Sequence, residues 1–424
     1  MKHLILGAGP AGVIAAETIR KHAPADEIVL VGDEPEAPYS RMAIPYLLIG
    51  KIGEPGTHLR HAGDHYQRQR ITLRRGRAVK LDTAGRKVQL DNGAVLSFDR
   101  LLIATGSSPA TPPIPGIAGP GVHACWTLAD ARAIMAKAQP GARVVQMGAG
   151  FIGCIIMEAL AARGVKLAVV EMGDRMVPRM MGPTAGSMIK SWCQAKGVDV
   201  HTGARVDAIE RDATPVMKVK LSNGRTLEAD LLISATGVKP NIGFLEHSGV
   251  RCLVGVLTDE HLQTNVEGIY AAGDCAEAFD KVSGKMIVSA IQPNAAEQAR
   301  VAALNMVGRP TELRGVTQIN VLDTLGLVSA SFGNWEGVPG GQHAELTEPD
   351  ARSGGRHLSL QFAGDRLVGC NAVGWTDHVG VMRGLVEGQV PLGDWKDKLL
   401  ADPTLLMQAY LARAQAQHAH ASVK

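Results

Sequence analysis

Cysteine motifs, long apolar runs and a strong charge of either sign are all missing from this chain of 424 residues. No run approaches eighteen uninterrupted apolar residues, so the sequence predicts no membrane span. The cysteines show neither a C-x-x-C pair nor a metal-ligand spacing, which predicts reduced, mostly buried thiols and no metal site. There are six of them: Cys125, Cys154, Cys193, Cys252, Cys275 and Cys370.

The net charge, the first residues and the length of the chain predict its partners, its location and its number of domains. The formal net charge of +3 is close to neutral for a protein of this size and argues against nucleic acid as the main partner. The first residues enter an apolar strand at once and leave no room for a cleavable signal, which predicts a cytoplasmic protein. A chain of this length is too long for one core, so we expect two or three domains.

The clearest motif lies within the first dozen residues. The apolar run 3–6 stops at the sequence GAGPAG, residues 7–12, and the pattern predicts an alanine-rich helix from Val13 to Arg20. In such a turn the first glycine permits the tight bend, the second lets the backbone approach a pyrophosphate, and the third lets the helix pack on the strand. The helix N-terminus then faces the phosphates with its positive dipole end. An ordinary glycine turn is the alternative.

Residues after the next apolar run, 28–31, favour the dinucleotide interpretation. Asp33 and Glu34 come at the end of this run, where the ribose of a dinucleotide needs a carboxylate. Arg41 follows in a proline-rich loop and is placed to reach a cofactor phosphate, with a solvated loop arginine as the alternative.

A basic run without a single acid covers residues 65–80. It predicts a solvated strand edge, and a docking face for an acidic protein is the less favoured interpretation. A hairpin is predicted around 91–93, from the sequence DNG. The cations of the basic run are Arg68, Arg70, Arg74, Arg75, Arg77 and Lys80.

The same order of strand, glycine turn, helix and second strand then occurs again. After a proline-rich linker at 109–120, an apolar strand leads into GAGFIG at 148–153, a helix follows, and the next strand ends on Glu171. The sequence A-T-G closes one strand at 104–106 and another at 235–237. Two copies of the same arrangement imply two bound dinucleotides.

The last third of the chain changes character. A buried strand ends in Gly273-Asp274, and a helix is predicted from Pro293 to Met306. Beyond 313 we expect an α+β module without a nucleotide turn. Its strands are predicted at 316–328, 357–362 and 366–371, and its helices at 377–387 and from 395 to the end.

These motifs, in this order, resemble the FAD- and NAD(P)-dependent pyridine nucleotide-disulphide oxidoreductases over essentially the whole chain. Within that superfamily the sequence is most similar to ferredoxin and rubredoxin reductases and nitrite-reductase-type flavoproteins. The resemblance implies an α/β protein with two Rossmann-like, three-layer dinucleotide-binding domains and a C-terminal α+β interface domain. The implied bounds are 1–111 with 243–312 for FAD, 112–242 for NAD, and 313–424 for the interface domain, which supports a dimer in some relatives.

The resemblance also implies a role for individual residues. The first turn would hold the FAD pyrophosphate, Glu34 the adenosine ribose, Arg41 the phosphate side, Val79 the adenine through its backbone, and Asp274 the ribitol. The helix near Pro293 would face the flavin pyrimidine. The implied FAD residues are Gly7, Gly9, Pro10, Ala11, Gly12, Glu34, Arg41, Val79, Thr105, Gly106, Asp274 and Pro293. Those implied for NAD are Gly148, Gly150, Phe151, Ile152, Gly153, Glu171 and Gly237.

Three departures from the family pattern bear on the function. Relatives that reduce disulphides carry a redox cysteine where this chain has Met42, and a thioether cannot replace it. Many ferredoxin reductases place a lysine and a glutamate near the flavin, at positions that look like Tyr46 and Ile155 here. The tryptophan-rich signature of ring-hydroxylating oxygenase reductases is also absent from 313–327.

The sequence therefore predicts a FAD enzyme that takes electrons from NADH and passes them to an acceptor. The flavin carries the chemistry, so no protein nucleophile or acid–base pair is expected. Glu171 predicts NADH rather than NADPH, because a carboxylate repels a 2′-phosphate. The favoured acceptor is a small iron–sulfur or rubredoxin-type carrier or a partner subunit. An NADH oxidase or small-molecule reductase, and a flavin-bound redox-sensing or structural subunit, are the alternatives.

Overall fold

The chain divides into two compact units, each with its own core. Our computed structural model describes residues 1–212, 215–350 and 352–421, with side chains up to residue 413. The first unit contains residues 1–110, 126–128 and 238–316, and the second contains 111–125, 129–237 and the chain from 317 onward.

The helices and strands are numbered along the chain. Residues 1–110 form β1 (Lys2–Leu6), α1 (Pro10–His22), β2 (Glu27–Gly32), α2 (Ile44–Leu48), α3 (His65–Arg68), β3 (Ile71–Arg75), β4 (Ala78–Asp82), β5 (Lys87–Leu90), β6 (Val95–Ser97), β7 (Arg100–Ile103) and β8 (Ser107–Pro109). Residues 111–237 form β9 (Val122–His123), α4 (Leu128–Lys137), β10 (Arg143–Met147), α5 (Phe151–Ala162), β11 (Lys166–Glu171), α6 (Pro183–Ala195), β12 (Asp199–Thr202), β13 (Val206–Arg211), β14 (Met217–Leu221), β15 (Thr226–Ala229) and β16 (Leu231–Ser234).

The rest of the chain returns to the first unit and then to the second. Residues 238–316 form β17 (Val238–Pro240), β18 (Val256–Leu257), β19 (Ile269–Ala271), β20 (Ala276–Asp280), β21 (Lys285–Val288) and α7 (Gln292–Met306). From residue 317 the elements are β22 (Ile319–Thr324), β23 (Leu327–Gly333), β24 (Gln342–Glu348), β25 (Arg356–Ala363), β26 (Arg366–Val373), α8 (Val379–Glu387), α9 (Trp395–Ala401) and α10 (Leu406–Ala421).

A parallel five-stranded sheet forms the centre of the first unit, in the order β19-β7-β1-β2-β3. Apart from the edge strand β3, its strands are mainly apolar at successive positions because both faces are covered. Ile5 packs with residues of α1 and α7 on one face, whereas Leu4 and Leu6 pack with β4 and β5 on the other. The sheet therefore lies between a helical layer and a small antiparallel sheet formed by β4, β5 and β6.

The second unit repeats this plan. Its parallel sheet has the order β12-β11-β10-β16-β9, and the antiparallel β13, β14 and β15 cover one face. The chain beyond 317 adds an antiparallel sheet in the order β22-β23-β26-β25-β24. The predicted fold class, two Rossmann-like domains and an α+β module, is confirmed.

Element boundaries differ from the prediction in informative places. Helix α1 begins at Pro10 rather than Val13, because proline fits the first helical turn. The prediction of a single strand at 316–328 is wrong, because this segment contains β22 and the start of β23. The two strands form a hairpin whose turn has positive φ at Leu325 and Gly326. Strand β24 was not predicted, since its mainly exposed, polar residues lie at a sheet edge.

Two other segments depart from the prediction. The helix expected from 395 onward is interrupted at Asp402–Pro403, and its last three residues, 422–424, lie outside the described part of the chain. The segment 109–120 is not a free linker. Pro115 accepts a hydrogen bond from Ile209 N, and Arg211 donates to the carbonyls of Gly116 and Pro120.

The basic run lies largely on and around the edge strand β3, as the favoured interpretation predicted. Four of the five residues of β3 are exposed, and β3 is the last strand in the order of its sheet. Arginines on an edge strand keep other strands from pairing with it. The hairpin predicted around 91–93 is also confirmed and joins β5 to β6.

Candidate functional site

The first glycine turn joins β1 to α1 and leaves no room for side chains at two of its glycines. Gly7 has φ +114°, and a Cβ there would lie 1.9 Å from the carbonyl oxygen of Ala104. A Cβ on Gly12 would lie 1.8 Å from the carbonyl oxygen of Gly7. At Gly9 a Cβ would meet nothing within 4 Å, so this backbone is open to a ligand.

The helix that follows presents an anion-binding end. Gly9 caps α1, Pro10 and Ala11 begin it, and no acidic side chain lies in its first turn. The unpaired N–H groups and the positive end of the helix dipole therefore remain available to phosphate oxygens. The turn fits the pyrophosphate of a dinucleotide.

Arg41 and Glu34 form a side-chain network beside this turn. Arg41 Nη2 donates to Glu34 Oε1 at 2.7 Å, and Arg41 Nη1 donates to Trp126 O at 2.7 Å. Tyr39 donates to Glu34 Oε2 at 2.6 Å, and its hydroxyl accepts from Arg41. The guanidinium also lies over the rings of Tyr39 and Trp126, 5.6 and 5.4 Å from their centroids. Arg41 is thus not a solvated loop arginine.

A second group of side chains lies where β7 and β19 end. Ser107 donates to Asp274 Oδ2 at 2.9 Å, and Trp126 Nε1 donates to Ser107 O at 3.1 Å. Burial raises the pKa of the Asp274 carboxyl, while the hydrogen bond from Ser107 and the charge of Arg41 oppose that shift. Thr105 donates to Asn241 O at 2.8 Å and fixes the strand end.

The remaining residues implied for FAD lie within the first unit. Gly106 has φ +64° and would meet nothing within 4 Å if it carried a Cβ. Val79 is exposed on β4. Pro293 is the second residue of α7, a helix that also has no acidic side chain in its first turn.

The second turn matches the first in backbone geometry. Gly148 has φ +92°, and its Cβ would lie 2.4 Å from Ala235 O, whereas Gly150 is open. Phe151 and Ile152 begin α5, and Gly237, with φ +106°, is open as well. This turn therefore also fits a pyrophosphate.

Glu171 lies at the second turn, as its position at the end of a strand predicts. Its Oε2 accepts from Ala149 N at 2.7 Å, and its Oε1 accepts from Gly173 N at 2.8 Å. Each oxygen keeps a lone pair for a ribose hydroxyl. Arg175 is turned away, because it donates to Met181 O and to Asp174.

Gln146 is a residue of this turn that the sequence interpretation missed. It is fully buried, and its Nε2 donates to the carbonyls of Gly148 and Gly153, both at 2.9 Å. Its Oε1 has no partner among the described residues, a loss worth about 1–3 kcal/mol. A polar residue in an otherwise apolar strand was the available signal. The sequence contains no comparable signal for Tyr39, Trp126 and Ser107, because these residues come together only in the folded protein.

Five of the six cysteines are buried, and Cys252 is partly exposed. Cys154 donates to Ala149 O, and Cys275 donates to the carbonyls of Ile103 and Ala272. Burial raises the pKa of both thiols. Met42 lies in a single helical turn at 41–43 and is half exposed, as is Tyr46 on α2.

Within the described ranges, no three His, Cys, Asp or Glu side chains are arranged to hold a metal ion. Among the helices that the structure describes, none is both long and apolar enough to cross a bilayer.

Two Rossmann-type turns, each between a parallel strand and a helix, define a protein that binds two dinucleotides. Residues 1–303 match the pyridine nucleotide-disulphide oxidoreductase family. The chain belongs to this family, and its cofactors are FAD and NAD.

Individual relatives agree with that assignment. The epsilon subunit of the NADH-dependent phenylglyoxylate dehydrogenase of Aromatoleum evansii is 34% identical over 406 residues, 95% of each chain. The NADH oxidase of Methanocaldococcus jannaschii is 31% identical over 400 residues, 88% of each chain. The crystal structure of a covalent putidaredoxin reductase–putidaredoxin complex superposes with a TM-score of 0.88 at 25% identity, covering 98% of this chain and 99% of the other.

Proposed function

We propose that this chain is a FAD-dependent enzyme that oxidises NADH and passes the electrons to an iron–sulfur or rubredoxin-type carrier, or to a partner subunit that contains such a centre. The observation that carries the proposal is a pair of open glycine turns in a chain that has Met42 where disulphide-reducing relatives have a thiol. Similarity to a dehydrogenase subunit and to a putidaredoxin reductase supports both kinds of acceptor.

The first turn and its neighbours are proposed to hold FAD. Gly7 to Gly12 would bind the pyrophosphate, Glu34 the adenosine ribose and Asp274 the ribitol. Arg41 would act near the phosphates while its contacts with Glu34 keep that carboxylate oriented. Val79, Thr105, Gly106 and Pro293 complete the proposed set, and the N-terminus of α7 would favour negative charge on the flavin.

The second turn is proposed to hold NAD. Gly148, Gly150 and Gly153 would contact the pyrophosphate with Phe151 and Ile152, while Gly237 leaves the neighbouring strand end open. Glu171 would bind the ribose hydroxyls. FAD, when bound, would supply the chemistry of electron transfer between NADH and the acceptor. The protein side chains orient the two dinucleotides and contribute charge, and none of them is required as a nucleophile.

The larger organisation is also part of the proposal. We assign FAD binding to 1–111 with 243–312, NAD binding to 112–242, and an interface role to 313–424, with a homodimer formed through that last domain. The first unit, which brings 238–316 back to 1–110, supports the discontinuous FAD domain. Six free cysteines support a cytoplasmic location.

Acceptor choice is the direct test of this function. With NADH in excess, we expect the purified protein to reduce a small ferredoxin or rubredoxin rapidly under anaerobic conditions, measured from the visible absorbance of the carrier. Turnover with oxygen alone should be slow by comparison. A rate with oxygen that matches the carrier rate would favour the oxidase, and negligible turnover with every acceptor would favour a sensing or structural subunit.

An NADH oxidase is the second candidate, favoured by the similarity to the archaeal enzyme of that name. Met42 argues against a cysteine-dependent oxidase cycle, because its thioether cannot form a sulfenic acid. An oxidase of this sequence would have to react with oxygen at the flavin alone. Its product would then distinguish it, since hydrogen peroxide should accumulate in proportion to the NADH consumed.

The Asp274→Ala substitution should weaken the retention of FAD. Removing a hydrogen bond to a charged group costs roughly 1.5–3 kcal/mol, which is about 10- to 150-fold in the FAD dissociation constant. Dialysis followed by the absorbance ratio of flavin to protein measures this change. As a control, Asp64→Ala removes an exposed carboxylate that pairs with Arg68 and should retain FAD. Equal FAD content in both variants would remove Asp274 from the site.

A further inference from the structure

The two glycine turns share one backbone plan. Gly7 N donates to Val31 O, and Gly148 N donates to Val170 O, both at 2.8 Å. The first helical bonds, Val13 N to Gly9 O and Cys154 N to Gly150 O, are both 3.0 Å. The side chains around the two turns nevertheless differ.

The strand before each turn carries the first difference. Ile5 and Gln146 occupy equivalent positions, each two residues before the first glycine, and each is fully buried. Ile5 is apolar and contributes only packing, whereas Gln146 forms hydrogen bonds with two carbonyls of its turn. These carbonyls belong to the first and last glycines, so the side chain spans the turn.

The neighbouring strand carries the second difference. Leu6 pairs with Val31, and Met147 pairs with Val170, which makes Gly32 and Glu171 equivalent. Gly32 has no side chain, whereas Glu171 accepts a hydrogen bond from Ala149 within the turn. The second turn is thus held by two polar side chains whose equivalents in the first copy cannot do the same.

Spacing between helix and turn differs accordingly. A Cβ on Gly12 would lie 1.8 Å from Gly7 O, but a Cβ on Gly153 would lie 2.5 Å from Gly148 O and 3.1 Å from Gln146 Nε2. Helix α5 therefore stands further from its turn than α1 does, and the amide of Gln146 lies against Gly153. A turn with looser helix packing has more to gain from side-chain hydrogen bonds.

We propose that Gln146 is a positioning residue that keeps the second turn in its binding conformation while no nucleotide is present, with Glu171 supporting it from the next strand. A cofactor that stays bound keeps its own turn ordered. A coenzyme that dissociates after every catalytic cycle must bind again each time, and it binds more tightly if the turn is already ordered. Ordering the turn in advance lowers the cost of each binding event. This inference rests on the proposed assignment of NAD to the second turn.

Replacing Gln146 by the residue of the first copy tests the proposal. For Gln146→Ile, we expect the Kd for NAD⁺, measured by titration calorimetry on the FAD-loaded protein, to rise about tenfold. The FAD content and the kcat at saturating NADH should stay within about twofold. Hydrogen exchange of the peptide amides at 148–153 should be faster in the variant without NAD⁺ and equal to the native protein with saturating NAD⁺.

A matched control separates this effect from general destabilisation. Val219→Ala removes buried volume from β14 in the same unit, so it should lower Tm while leaving the Kd for NAD⁺ and the exchange at 148–153 unchanged. Gln146→Met keeps the side-chain length without the amide and serves if the isoleucine variant does not fold.

The outcomes distinguish two kinds of failure. An unchanged Kd and unchanged exchange in the Gln146 variants would overturn the positioning role. If NAD⁺ failed to protect 148–153 even in the native protein, the assignment of NAD to this turn would be wrong instead.

Discussion

Glu171→Gln is expected to remove most of the preference for NADH over NADPH. In the native protein the carboxylate, held by the amides of Ala149 and Gly173, would lie close to a 2′-phosphate. Repulsion of about 2–4 kcal/mol at an intermediate dielectric corresponds to a preference for NADH of roughly 30- to 900-fold in kcat/KM. We expect the carboxylate to dominate over the nearby Arg175, because two of the guanidinium nitrogens already donate to Met181 O and Asp174.

Steady-state kinetics with both coenzymes measure this effect, and the choice of substitution matters. Glutamine removes the charge and keeps one acceptor oxygen, so one of the two backbone amides loses its partner, whereas alanine would release both. We expect Glu171→Gln to bring the two kcat/KM values within about tenfold of each other. Glu210→Gln removes a surface charge paired with Lys220 and should leave the preference intact. A native protein that used NADPH better would make the role assigned to Glu171 untenable.

The second large effect concerns electron storage. Anaerobic titration with dithionite should consume about one two-electron equivalent per FAD, because no thiol is placed to store a second pair. The family resemblance places Met42 where disulphide-reducing relatives have their redox cysteine. Burial raises the pKa of Cys154 and Cys275, which keeps both protonated at neutral pH. A flavin with a redox-active disulphide would consume two equivalents.

Spectra during the same titration provide an independent check. A thiolate against oxidised flavin gives a long-wavelength charge-transfer band, and we expect none. The variants Cys154→Ser and Cys275→Ser should titrate like the native protein. Consumption of two equivalents, or a band that disappears on alkylation of a cysteine, would show that a thiol takes part and would favour the oxidase or disulphide-reductase function.

Much of the fold could be predicted because its signals are local. Each glycine turn is a short motif between an apolar strand and a helix, and the alternating contacts of Leu4, Ile5 and Leu6 follow from a strand that is covered on both faces. Strand β24 could not be predicted, because an exposed edge strand has no apolar pattern. Helix α1 begins at Pro10, earlier than predicted, because the glycine motif at 7–12 already contains the first residues of the helix.

The site was less predictable wherever distant residues meet. Arg41 was named from its place after Glu34, but its contact with Trp126 joins positions 85 residues apart, and no local pattern encodes such a pair. Gln146 could have been noticed, since the two copies differ there. The comparison of copies, rather than the motif alone, reveals what each turn requires.

The return of 238–316 to the first unit also determines when that unit can be completed during synthesis. Strand β19 pairs with β7, and α7 packs with α1, yet they follow β7 by more than 150 residues. At roughly 5–20 residues per second, a ribosome needs on the order of 10–40 s to supply them. Until then β7 has an open edge and the apolar side of α1 lacks its partner. The nascent chain is therefore most exposed to aggregation in that interval, and the FAD site proposed at the first turn is incomplete until the ribosome has passed α7.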